Sequence, residues 1–180
     1  MTAFHLTIPL RDEDIVKLNA GDLVSLSGEA FTGRSLLQKH TFDEGHALPF
    51  DTQSRNVFVH VGPIVVRKNE KWELRAFTVT SSIRFEKWGP RSVREWGLKA
   101  IVGKTTMGQA TMDAMKIHRC MHLTPVGVTS SQFRERIQVK DVFLFDELGS
   151  IEAAWIIGLD EVGPFLVDID ANGHNYFDEL

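Results

Sequence analysis

Residues 90–104 read Pro-Arg-Ser-Val-Arg-Glu-Trp-Gly-Leu-Lys-Ala-Ile-Val-Gly-Lys, and the reading of this stretch decides the fold. Pro90 suits a first helical turn, where its missing N–H leaves nothing unsatisfied, and Gly97 supplies a stop. Residues 98–102 are then a short apolar β-rich run ending at Gly103. The alternation continues on both sides. Residues 56–61 (Asn-Val-Phe-Val-His-Val) form a strand pattern closed by Gly62-Pro63. Residues 105–119 place Met107, Ala110, Ala114, Met115 and Ile117 on about one helical face and lead into a strand over 121–126. Strand, helix, strand, helix, strand in this order predicts a parallel sheet.

Further out, residues 23–26 follow the turn Asn19-Ala20-Gly21-Asp22 and are expected to end at Ser27-Gly28. Residues 72–80, 139–145, 154–159 and 164–169 are the other expected strands, rich in β-branched and aromatic residues. Residues 33–40 and 130–137 are short helix candidates, the second capped by Thr129 or Ser130. The ends of the chain read as hairpins and a meander, so the expectation is one α/β domain over 1–180 with an additional antiparallel sheet.

Composition narrows the function. Hydrophobic residues are 43% and charged residues 24% of the 180, the usage of an ordinary globular chain. Lys and Arg number 20 against 24 Asp and Glu, so no basic excess favours nucleic acid. The single cysteine, Cys120, can neither close an internal disulfide nor supply a set of thiolate ligands. No apolar run reaches the ~18 residues of a membrane span. Pro9 and Arg11 fall where a signal peptide needs an unbroken apolar stretch, so a cytoplasmic protein is expected.

Three isolated cations fall just beyond strand patterns. Arg34 follows Gly33 after the first run, Arg84 follows the 72–80 run in Thr80-Ser81-Ser82-Ile83-Arg84, and Lys104 follows Gly103. Ligands of open α/β sheets bind outside the carboxyl ends of strands. Cations there, beside Gly and hydroxyl residues, point to a small polyanion. Arg grips a carboxylate with two parallel bonds, and Lys acts as a compact charge.

The segment 62–73, Gly-Pro-Ile-Val-Val-Arg-Lys-Asn-Glu-Lys-Trp-Glu, resembles the small (β) subunits of L-tartrate dehydratase. So does 162–170, Val-Gly-Pro-Phe-Leu-Val-Asp-Ile-Asp, with Gly173 and Asn175. The resemblance extends to the β subunits and C-terminal domains of class I fumarases and spans about residues 8–176. Gly33-Arg34, Thr80 to Arg84 and Gly103-Lys104 stand in the order and spacing of that family. It implies a swivelling β/β/α three-layer domain, with a central parallel sheet, a second antiparallel sheet and a helical layer. It also implies a hydro-lyase that eliminates water from a 2-hydroxydicarboxylate of the L-tartrate or malate/fumarate type. In such enzymes a four-iron, four-sulfur cluster acts as Lewis acid on the departing hydroxyl, and its cysteine ligands lie in an α subunit. The chain would thus bind no cluster alone and work in a hetro-oligomer with the α subunit. By position the resemblance makes Arg34, Arg84, Lys104 and Ser81 substrate-binding, with Thr80, Arg84 and Lys104 catalytic. A non-catalytic paralogue that binds a dicarboxylate or an α subunit is the alternative. Where relatives carry Asp and His beside the first Arg, this chain has Ser35 and Gln38, and Thr105, Thr106, Thr129 and Ser130 replace small residues.

Other motifs carry less. Gly103-Lys104-Thr105 imitates the end of a phosphate-binding loop, but Leu98 occupies the position of its first glycine. Asp168-x-Asp170-x-Asn172-Gly173 with Glu179 matches a calcium loop, yet it begins in a strand pattern and the exit helix is missing. Asn172-Gly173 reads as a hairpin turn. His118 and His122 flank Cys120 with no adjacent acidic residue, so a structural histidine and a buried thiol are expected. The four tryptophans read as core or subunit-contact residues.

Overall fold

In the computed structural model, which describes residues 2–127 and 129–179, the strands are β1 (Ala3–Thr7), β2 (Leu23–Gly33), β3 (Val57–His60), β4 (Ile64–Lys68), β5 (Lys71–Ala76), β6 (Ala100–Val102), β7 (Met121–Pro125), β8 (Ile137–Phe143) and β9 (Ala154–Ile169). The helices are α1 (Asp12–Ile15), α2 (Ser35–Phe42), α3 (Gly89–Glu95), α4 (Gln109–His118) and α5 (Phe145–Leu148). Neighbours β1, β2, β3, β6 and β7 pair in parallel, as the alternating pattern predicts. β9 then pairs antiparallel with both β7 and β2, which closes β2, β3, β6, β7 and β9 into a ring. β8 adds antiparallel to β9, and β4–β5 is a separate antiparallel hairpin. The architecture is therefore α/β with a second antiparallel sheet as expected, and the expected central parallel sheet is made mixed by β9 and β8.

Period-two alternation sorts side chains into two cores. Val57, Val59, Ala100, Val102, Met121, Leu123 and Val167 pack in one, with the fully buried Trp155. Phe58, Ile101 and Ile169 point the other way and pack with Phe31, Trp96, Met107 and Met115 under the helices. Phe31 stacks on Phe58 at 4.9 Å, and Trp96 meets Phe58 edge-on at 5.2 Å. Each such fully buried side chain stabilises by about 1.5–3 kcal/mol.

Several boundaries differ from expectation for physical reasons. β2 does not end at Gly28. Gly28 takes φ +107 at a bulge where a methyl would lie 2.7 Å from the Ile8 carbonyl, so the glycine bends the strand and pairing continues to Gly33. The two expected strands 154–159 and 164–169 are one strand, twisted at Glu161 (φ 49) and Gly163 (φ 156). Residues 130–137 form no α-helix: buried Phe133 anchors turns and a 3-10 turn at Arg134–Arg136. The 105–119 helix begins only at Gln109, because Lys104 pairs with Ser81 and Thr105 takes a left-handed φ of 63. Val128, next to Thr129, lies outside the described residues. Among the described residues, no helix is long and apolar enough to cross a membrane.

Candidate functional site

Parallel pairing brings the carboxyl ends of β2, β3 and β6 to one rim. Gly33 pairs with His60, and Val59 with Val102, so Arg34, His60 and Gly103-Lys104 emerge side by side. The segment after β5 joins this rim. The Thr80 N–H donates to the His60 carbonyl (2.6 Å), the Lys104 N–H to the Thr80 carbonyl (3.1 Å) and the Ser82 N–H to the Lys104 carbonyl (2.8 Å). Residues 80–82 thus lie beside Lys104 like a short extra strand, and a 3-10 turn, Ser82–Phe85, carries Arg84 outward.

The three cations have different surroundings. Arg84 is exposed and Lys104 half-buried, and among the described residues neither has a carboxylate partner. Arg34 stands at the N-cap of α2, with its Nε 3.6 Å from Glu152 Oε1. The other Glu152 oxygen accepts the Leu36 N–H (2.8 Å). The Arg34 stem passes Gly62, where a methyl would lie 3.2 Å from Cδ and 2.6 Å from Ile151 Cγ2. Buried Arg34 Nε has no hydrogen-bond partner. The rim therefore presents two uncommitted cations and one shared with a carboxylate.

Gln38 is buried in α2 and accepts the Ser92 hydroxyl of α3 at 3.0 Å. It serves helix packing. Thr105 donates its hydroxyl to the Lys104 carbonyl, and Thr106 accepts from the Asn175 amide (3.0 Å), so both hydroxyls are engaged within the chain.

Beneath the rim lies a group of polar side chains that the sequence reading missed. Ser82 Oγ is 2.8 Å from His122 Nε2 and 2.9 Å from His60 Nδ1. His122 Nδ1 is 2.7 and 2.8 Å from the two Asp168 oxygens. The Thr124 hydroxyl lies 3.0 Å from Asp168 Oδ1 and 3.2 Å from the Thr105 carbonyl. Ser82, His122 and Asp168 are fully buried, and His60 nearly so. The acidic partner of His122 is 46 residues away in sequence, which is why no local spacing shows it. The available signal was a single polar residue inside each of several apolar strands.

Burial, reinforced by repulsion from His122, holds the His60 imidazole well below its ordinary range, so it stays neutral. The sign of the pH effect follows. Below about pH 6.5 the unfolded chain takes up a proton that folded His60 refuses, so stability falls as pH falls. The melting temperature is expected to drop between pH 7 and 5.5, and less steeply in His60→Gln; calorimetry across that range checks it.

Glu86, two residues past Arg84, fixes the next element. Its carboxylate accepts the Gly108 N–H (2.7 Å), the Thr111 N–H (3.0 Å) and the Thr111 hydroxyl (2.7 Å) at the start of α4. This is a cap supplied from another segment, and a negative charge there also complements the helix dipole. Glu86→Ala is expected to cost about 2 kcal/mol, read by urea denaturation.

The remaining motifs are committed elsewhere. Asp168 turns inward to His122, while Asp170 accepts the N–H groups of Asn172 (2.8 Å) and His174 (3.1 Å), as a turn at Gly173 (φ +82) requires. That disposes of the calcium-loop reading. Burial pushes the Cys120 thiol up to about 12, far from the thiolate a metal needs. His40, Glu44 and His46 bring possible ligand atoms within 4.8 Å of one another, but Lys39 is 3.4 Å from Glu44 and competes for its charge. A groove of about 800 Å³ lies away from the rim, between Trp72, Arg134, Lys140 and Asp160.

The family model of the fumarase C-terminus matches residues 2–180. The chain belongs to the fumarase C-terminal family. It is 30% identical over 97% of its length to the L(+)-tartrate dehydratase subunit beta of Escherichia coli (strain K12), covering 86% of that protein. It is 29% identical to a putative fumarate hydratase class I of Geobacillus stearothermophilus, over 97% of this chain and 34% of that one. A putative L(+)-tartrate dehydratase subunit beta of Methanocaldococcus jannaschii is 27% identical over 95% of the chain and 89% of its own length. In this chain Gly33-Arg34, Thr80 to Arg84 and Gly103-Lys104 all lie along the rim at the ends of β2, β3 and β6.

Proposed function

We propose that the chain is the β subunit of a hydro-lyase that dehydrates a 2-hydroxydicarboxylate, at a site completed by an α subunit. The observation that carries this reading is the rim itself: among the described residues Arg84 and Lys104 stand without carboxylate partners, with Thr80 and Lys104 joined by a main-chain bond. Arg84 binds one substrate carboxylate through two parallel bonds, and Lys104 and Arg34 add charge at the other end. Loss of a proton next to a carboxylate builds up a dianion, and fixed cations lower that barrier. Thr80 and Ser81 offer hydroxyls at the same place. A free Thr hydroxyl is a poor base, so Thr80 acts under the influence of these cations or of a partner carboxylate.

This chain does not fit an iron–sulfur cluster, since its single cysteine is buried and strongly protonated. In this reading the α subunit holds the cluster that assists departure of the hydroxyl. The ring, the hairpin and the outer helices then make up the swivelling β/β/α unit, one domain over 1–180. The open position of the rim suits a site shared between subunits.

Reconstitution tests it. The chain with a cognate α subunit is expected to turn over L-tartrate, L-malate or fumarate, and the chain alone none of them. Dicarboxylate binding without turnover by the reconstituted pair would instead establish the non-catalytic paralogue.

A further inference from the structure

We infer that Ser82, His122 and Asp168 form a buried positioning chain that sets where Thr80, Arg84 and Lys104 stand on the rim. The functional consequence rests on the hydro-lyase reading; the mechanical one does not.

None of the three reaches the surface, so none touches substrate. Their connection to the rim is direct. Ser82 is the first residue of the turn that carries Arg84, and its N–H is bonded to the Lys104 carbonyl. Its hydroxyl passes over Gly103, the residue before Lys104, and ends between two imidazoles. One imidazole belongs to the end of β3 and the other to β7, and Asp168 ties the second to β9. At its far end Asp168 also meets the Thr124 hydroxyl, whose single proton serves either Asp168 Oδ1 (3.0 Å) or the Thr105 carbonyl (3.2 Å). The Ser82 side of the loop at Lys104 is thus held by one connected set.

The proton inventory closes. Neutral His60 exchanges one hydrogen bond with Ser82, whose hydroxyl makes one bond as donor and one as acceptor. His122 fills the second and gives its Nδ1 proton to Asp168. A hydroxyl fixed by two imidazoles cannot slide along the rim. Buried polar groups of this kind hold a single geometry when fully paired and are costly when partly paired. An apolar filling would stabilise the core equally well, but it would not fix the angle at which residues 80–84 leave it.

The test uses Ser82→Ala, Asp168→Asn and the double variant in the reconstituted pair. Each single change is expected to lower kcat/KM about 10- to 100-fold with subunit association retained. The double variant should lose no more than the worse single, because both act through one chain. Hydrogen exchange in the 180-residue chain supplies the second readout. The Ser82 and Lys104 amides should exchange at least about 10-fold faster in both singles, while Ile101 in the ring keeps its protection. Additive losses in kcat/KM, or unchanged exchange at Ser82 and Lys104, would overturn the inference. If the wild-type pair turns over no dicarboxylate, the hydro-lyase reading fails, and the exchange result alone decides the positioning chain. Should Asp168→Asn not fold, Ser82→Ala decides by the same exchange measurement.

Discussion

Replacing Arg84 by Lys in the reconstituted enzyme is expected to lower kcat/KM for its dicarboxylate at least about 100-fold, with the melting temperature of the chain unchanged. Stability should be indifferent because the side chain is exposed and makes no ion pair among the described residues. Activity should not be. Each hydrogen bond between a guanidinium and a carboxylate contributes about 1.5–3 kcal/mol, and the fork holds two at a fixed angle. An ammonium retains the charge but loses the planar grip, and a tenfold change in rate corresponds to about 1.4 kcal/mol. Steady-state kinetics beside thermal melting separate the two effects. Near-normal turnover by Arg84→Lys would move the carboxylate grip to Arg34 or to the partner subunit.

Gly103→Ala should show the opposite division, with a large loss of stability as well as of activity. A methyl at Gly103 would collide with Ser82 Oγ and lie 3.3 Å from the Thr80 carbonyl. Either the Ser82 hydroxyl swings away from both imidazoles or the Lys104 main chain moves. Overpacking costs about 1–3 kcal/mol, and an orphaned buried polar group about as much again. A total of about 3 kcal/mol lowers the melting temperature of a chain this size by roughly 6–12 °C. The double variant Gly103→Ala/Ser82→Ala should recover part of that loss, since the nearest atom is gone. An unchanged melting temperature in the single variant would mean that residues 80–82 yield freely, contrary to the tight rim described above.

The sequence was informative where local chemistry decides. Apolar runs closed by glycines located β3, β6 and β7, and Pro90 with Gly97 bracketed α3. The ring was not legible, because it depends on one long strand pairing with two distant partners, and β9 contains Gly163 and Pro164, which read as a break. Gly28 misled in the same way: a glycine that ends a strand and one that bends it look alike until the carbonyl it must pass is known. At the site, strand-end position marked Arg34, Arg84 and Lys104. His60, His122 and Asp168 were hidden because each is a polar residue inside an apolar strand pattern, and Ser82 because it is one of three consecutive hydroxyl residues; pairing between distant strands makes them a set.

The closure of the ring also bears on how the chain survives while it waits for a partner. A sheet closed on itself has no free ladder within the ring, so among the described residues β1 and β8 are the outer strands of the large sheet. β1 has five residues, and β8 carries Lys140 and Asp141 on exposed positions. Short length and charge are the features that discourage another chain from adding its own strand. These two edges are in this way guarded against pairing with a second copy of the chain.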